Sequence, residues 1–230
     1  MVSLRHLRTF HRWHAVAMST VVLMAAMSGL VHTWMAHNQP PPPATRPAGA
    51  VDLAKAVVPP SALPGPAAGV TLRSIAGQPW WQVLPVDGGA PRWVDATTGR
   101  EDDGADARYA AEVAEQYFGK PVRQTAYLTS YTQEYLPIFR LLPVYRFDVD
   151  DAVHTRLYVS TLTGSVARHT DDPKQFEASI FVTFHKWGFI SDRHLRDLAL
   201  MTAMAGLVVL ALSGLALAIL TRRRSRPESP

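Results

Sequence analysis

Histidine is the residue type best placed to do chemistry in this chain, which has nine of them and no cysteine. A neutral imidazole can lend a ring-nitrogen lone pair to a metal or carry a proton near neutral pH. Five of the nine flank apolar segments. His11 and His14 open the stretch FHRWHAVAMSTVVLMAAMSGLVHTWMAH, His32 stands near its end, His185 lies in SIFVTFHKWGF, and His194 precedes a second apolar run. An imidazole within or at the edge of a bilayer is costly to hide, so each is by default a candidate functional position. His14 and His32 are 18 residues apart. In a helix that is five turns and about 27 Å, which puts them on one face near opposite membrane surfaces. His6, His37, His154 and His169 read as solvated surface residues.

Two elements must position these side chains. Ala15–Met35 contains no charged residue in 21 positions, and Leu198–Leu220 contains none in 23. Each is long enough to cross the hydrocarbon core. We therefore expect spans at 15–36 and 197–220. A cleaved signal peptide fits the first less well, because the run exceeds an ordinary signal h-region and no clean A-x-A site precedes the proline tract. Arg5, Arg8 and Arg12 precede the first span, and Arg222, Arg223, Arg224 and Arg226 follow the second. Positive-inside counting then puts residues 1–14 and 221–230 in the cytoplasm and the region between the spans outside. The net charge of +4 is largely this topology signal and does not indicate nucleic acid.

Between the spans, 37–50 is a proline-rich stalk of extended geometry. Residues 51–100 and 101–175 read as two related α+β units. The first has a short helix at VDLAKAV and strands at GVTLRSIAG, PWWQVLPVD and PRWVDATTGR. The second has the helix ADARYAAEVAEQYFG, closed by Gly119, then strands in VYRFDVDD, HTRLYVSTLTG and SVARHT. Residues 93–99 align without gaps on 158–164, each an aromatic-Val strand end followed by Thr-Gly. A membrane-proximal amphipathic segment occupies 176–196.

The segments RWVDATTGR and RLYVSTLTGSV resemble the strand-turn motifs of PepSY domains. The first span, with its His-Arg-Trp opening and Ser28-Gly29, and the second, opened by Phe-His-Lys-Trp-Gly, are similar to the helices of PepSY-associated transmembrane proteins. The resemblance covers most of the chain in the same order, with two spans where larger members have four. It implies a bacterial inner-membrane protein with a periplasmic middle domain, haem b held between helices, and a part in ferric siderophore reduction. Other PepSY domains bind or inhibit proteins, which leaves a non-catalytic anchored module as the alternative.

Two helices that each offer one histidine can sandwich a haem iron axially. On this reading His32 and His185 form the pair, and His194 competes with His185 for the second place. No histidine follows His194, so a site at His11 or His14 calls for a second protomer or a partner membrane subunit. Interfacial histidines also serve as amphipathic anchors, and Trp13, Trp34 and Trp187 would make an aromatic belt at the same levels. Gly29, Gly206 and Gly214, with Ser28 and Ser213, are expected to permit close helix packing. Asp102, Asp103, Asp150 and Asp151 read as loop carboxylates. No nucleophile–base set, phosphate loop, dinucleotide fingerprint or HExxH signature is present, so any catalysis would be carried by a bound redox cofactor.

Overall fold

A computed structural model of the chain describes residues 3–39 and 49–224. Most of the expected stalk and the end of the C-terminal tail lie outside the described residues. The fold is α+β, with two long apolar helices flanking, in sequence, a domain of two antiparallel sheets. The chain divides after Gln39 and again after Gln175 into a helical unit and an α+β unit.

In the helical unit, α1 (Leu4–Asn38) and α4 (Arg193–Arg224) are both long and apolar enough to cross a membrane. Each helix continues past the expected span through its arginine-bearing end. Interior small residues allow the two to pack closely. A Cβ on Gly206 would lie 2.8 Å from Met18 Sδ, and one on Gly214 would lie 3.0 Å from the His11 ring. Gly29 differs from the expectation: a Cβ there meets nothing within 4 Å. Its neighbour Ser28, 2% exposed, faces the interior instead, since adjacent helical residues point about 100° apart.

In the α+β unit, β1 (Ala67–Ile75), β2 (Gln78–Pro85) and β3 (Arg92–Asp95) form an antiparallel meander. The helix α2 (Ala105–Phe118) follows, closed by Gly119 in the left-handed conformation. A second meander comprises β4 (Arg123–Leu128), β5 (Val144–Asp148), β6 (Arg156–Ser160) and β7 (Ser165–Thr170). The strand β4 is not legible in the sequence, because RQTAYL is an edge strand whose side chains are mostly exposed and it lacks a continuous apolar face. Side chains alternate across the sheet, as strand geometry requires. Phe147, Leu157 and Val159 join the core under α2, whereas Val144 and Tyr158 pack with Tyr135 in a second cluster.

The expected helix at VDLAKAV is only a 3-10 turn, Leu53–Lys55. Prolines at 59 and 60 stop its growth, and α2 alone serves both sheets, packing among Ile75 and Trp93 of one and Phe147 and Leu157 of the other. The matched turns nevertheless share one geometry. Gly99 N–H donates to Asp95 O at 2.8 Å and Gly164 N–H to Ser160 O at 2.9 Å, both glycines having positive φ. At Gly164 space is also short, since an added Cβ would lie 2.5 Å from the Tyr109 hydroxyl. Gly164→Ala is therefore expected to cost about 2–3 kcal/mol from left-handed strain plus overlap. Gly77→Ala, with positive φ but open space, should cost only about 1 kcal/mol. Chemical denaturation of the full chain followed by tryptophan fluorescence distinguishes the two; equal losses would refute the packing argument.

Candidate cofactor site in the helical unit

The four histidines engaged within this unit each face a partner on another segment. His11 Nδ1 lies 2.8 Å from Ser213 Oγ, and His14 Nε2 lies 2.8 Å from the Gly206 carbonyl. His185 Nδ1 lies 3.2 Å from Ser28 Oγ, and His32 Nδ1 lies 2.6 Å from Glu177 Oε1. The other hydrogen bonds of the partners favour one tautomer for each ring. Ser213 and Ser28 spend their hydroxyl protons on Leu210 O and Ala25 O, so they accept from the imidazoles. Glu177 also accepts. In the neutral tautomer that satisfies these three partners, His11, His32 and His185 carry the proton on Nδ1 and leave Nε2 as the acceptor. Among the described residues nothing hydrogen-bonds to Nε2 of these three rings. His14 has the opposite arrangement, donating from Nε2, and is the poorer metal ligand of the inner pair.

A local change of helix geometry places His185. The helix α3 (Asp172–Ile180) runs into a π-helical turn at Phe181–His185, in which Lys186 N–H donates to Phe181 O. Wider turns of this kind are concentrated at functional sites. The chain then reverses at Trp187 and Gly188, where Gly188 N–H donates to Val182 O at 2.8 Å. A Cβ on Gly188 would lie 2.9 Å from that same carbonyl oxygen, so the turn requires glycine. The result brings His32 and His185 to one region. The Phe181 ring stacks on His185 at 4.6 Å between centroids and lies tilted against His32 at 5.2 Å. His194 is exposed in the first turn of α4, and no contact among the described residues draws it to the other four.

Haem suits these residues in donor chemistry. Imidazoles anchored through Nδ1 with a free Nε2 are the usual form of an axial ligand, since the outer partner fixes ring orientation and basicity. An apolar cavity of about 380 Å³, lined by Leu23, Met24, Met27, Val31, Ile180 and Phe184, has Ser28 in its wall. Its lining is apolar apart from Ser28, and neither His32 nor His185 is part of it. A haem held by both His32 and His185 would need the space beside the Phe181 ring, which lies against both imidazoles.

Sequence reasoning missed Glu177, although it is the only carboxylate between Asp172 and Asp192. It sits in α3, outside any apolar run, so nothing local associates it with a histidine 145 positions away. Ser28 and Ser213 were read as packing residues; they also act as hydrogen-bond acceptors for His185 and His11.

In the α+β unit a cleft of about 600 Å³ is lined by Arg123, Arg146, Asp148, Asp151, His154 and Arg156 among others. Most of its charge is matched internally. Arg146 pairs with Asp148 at 3.1 Å and Arg156 with Asp172 at 2.8 Å, while His154 lies 2.7 Å from Asp172. His154 is exposed, as expected. His169 is not: it is half-buried against Tyr117 and Phe118, with Tyr117 Oη 3.3 Å from Nδ1. Its place on β7 beneath α2 explains the difference. Burial holds the imidazole below its ordinary value near 6.5. A depressed folded pKa means that the unfolded chain binds the proton more tightly. Stability is therefore complete above about pH 6.5 and falls as the pH drops toward the lower folded value. His169→Gln is expected to flatten this acid limb in thermal melts of the full chain between pH 7 and 5; an unchanged limb would refute it.

Fold and site together give an α+β protein carrying two helices long and apolar enough to cross a membrane and three imidazoles whose Nε2 has no hydrogen-bond partner among the described residues. No family model, curated protein or solved structure matches the chain.

Proposed function

We propose that this chain is a haem b electron-transfer protein of the bacterial inner membrane, assisting the reduction of an extracytoplasmic iron chelate such as a ferric siderophore. The observation that supports the reading is the shared Nδ1 contact of His32, His185 and His11, to Glu177 Oε1, Ser28 Oγ and Ser213 Oγ respectively, which leaves each Nε2 without a hydrogen-bond partner among the described residues. His32 and His185 hold the outer haem. Bound haem supplies one-electron transfer. The chain's residues orient the imidazoles, cover the macrocycle with the side chains of Leu23, Met24, Met27 and Phe184, and exclude water from it. His11 provides one ligand at the inner surface, with the second from another copy of the chain or a membrane partner. The arginines in the first turns of α1 and at the end of α4 hold both ends in the cytoplasm, leaving the PepSY-like domain in the periplasm to meet the chelate.

The test is a reduced-minus-oxidised spectrum of the full chain purified from haem-supplied cells. A low-spin haem band that shifts on dithionite addition is the expected result. A colourless, folded sample overturns the reading in favour of an anchored binding module, in which the same hydrogen bonds only lock the helices together.

A further inference from the structure

We infer that Glu177 is the positioning residue for His32, acting on the outer haem through the Nδ1 proton; the inference rests on the haem reading above. Both carboxylate oxygens are held. Oε1 accepts from His32 Nδ1–H at 2.6 Å, and Oε2 accepts from Gln39 Nε2–H at 2.6 Å. The Glu177 side chain is 13% exposed, whereas that of His32 is 49% exposed. The carboxylate is thus the fixed member of the pair, and the imidazole is oriented by it.

The other candidate ligands have neutral partners, the Ser28 hydroxyl for His185 and the Ser213 hydroxyl for His11. The proposed outer site is consequently asymmetric. A carboxylate drawing on the Nδ1 proton raises the electron density at Nε2, strengthens the bond to iron and favours the ferric over the ferrous state. A hydroxyl does this far less, because it carries no net charge. Glu177 thereby sets the outer haem to a lower potential than two serine-partnered imidazoles would, and a low potential is what reduction of a ferric chelate demands. Gln39 keeps the carboxylate in place by occupying its second oxygen.

The experiment compares the full chain in nanodiscs as parent, Glu177→Gln, Glu177→Asp, Ser28→Ala and His32→Ala, measuring haem per protein and midpoint potential by spectroelectrochemistry. Glutamine can still accept from Nδ1–H but carries no charge. Glu177→Gln is therefore expected to retain the low-spin spectrum with its midpoint shifted upward, Glu177→Asp to return toward the parent, and Ser28→Ala to shift less. Should Glu177→Gln lose haem, recovery in Glu177→Asp supports the same conclusion. Unchanged haem content and potential in Glu177→Gln, or equal loss in Glu177→Asp, with His32→Ala depleted, overturns this inference alone. A His32→Ala protein with the parent spectrum overturns it by removing His32 as a ligand. A parent without haem removes the haem reading and this inference with it.

Discussion

His32→Ala and His185→Ala should each lower haem retention by at least about tenfold, the scale on which perturbed metal sites lose affinity, and abolish the low-spin spectrum of the outer site. On the proposed reading each substitution removes one of the two ligands of the outer haem, and neither His14 nor His194 is placed to replace it. His14 spends Nε2 on the Gly206 carbonyl, and His194 is exposed at the start of α4. His154→Ala is the control, since that ring belongs to an exposed ion pair with Asp172 in the α+β unit and should leave the spectrum unchanged. Membranes containing equal amounts of each protein are compared by dithionite difference spectra. Parent-like spectra for both His32→Ala and His185→Ala would remove this pair from consideration. Loss in His194→Ala with retention in His185→Ala would instead move the second ligand to the start of α4.

Trp93→Ala is expected to destabilise the α+β unit by about 4 kcal/mol or more. The indole is 2% exposed and lies between β3 and α2, 5.0 Å from the Tyr109 ring. Truncating a buried aromatic residue costs about 3–5 kcal/mol through lost transfer energy and the cavity left behind. A second loss accompanies it. Trp93 Nε1–H donates to Asp106 Oδ1 at 2.8 Å, while Tyr145 Oη–H donates to Oδ2 at 3.0 Å. Asp106 is buried in the first turn of α2, so the variant leaves one side of a buried carboxylate without its donor, a penalty of about 1–3 kcal/mol. Trp34→Ala, on the exposed side of α1, should leave this unit within about 0.5 kcal/mol of the parent. Hydrogen exchange of the α2 amides reports the difference directly. Similar protection in both variants would refute the assignment of Trp93 to the shared core.

The comparison of sequence with structure divides along the range of the interactions involved. Two uninterrupted apolar runs determine two helices long and apolar enough to cross a membrane, because in a bilayer backbone groups that cannot reach water must bond within the segment. The Thr-Gly pairs at 98–99 and 163–164 determine two alike turns, because a left-handed position selects glycine over nearly every other residue. The helix ending at Gly119 and the alternation of β5 and β6 are local in the same sense. Tertiary structure alone decided that α2 serves both sheets, that β4 closes the second meander, and that His169 lies half-buried beneath the helix. It also decided which imidazole nitrogens are spent. Ser28 meets His185 across 157 positions and Glu177 meets His32 across 145. No periodicity in the sequence encodes such a meeting, which depends on a π-helical turn and a glycine reversal between Phe181 and Gly188. Spacing along a helix determines the face on which a histidine stands; the hydrogen bond that selects its tautomer forms only once a distant segment folds against it.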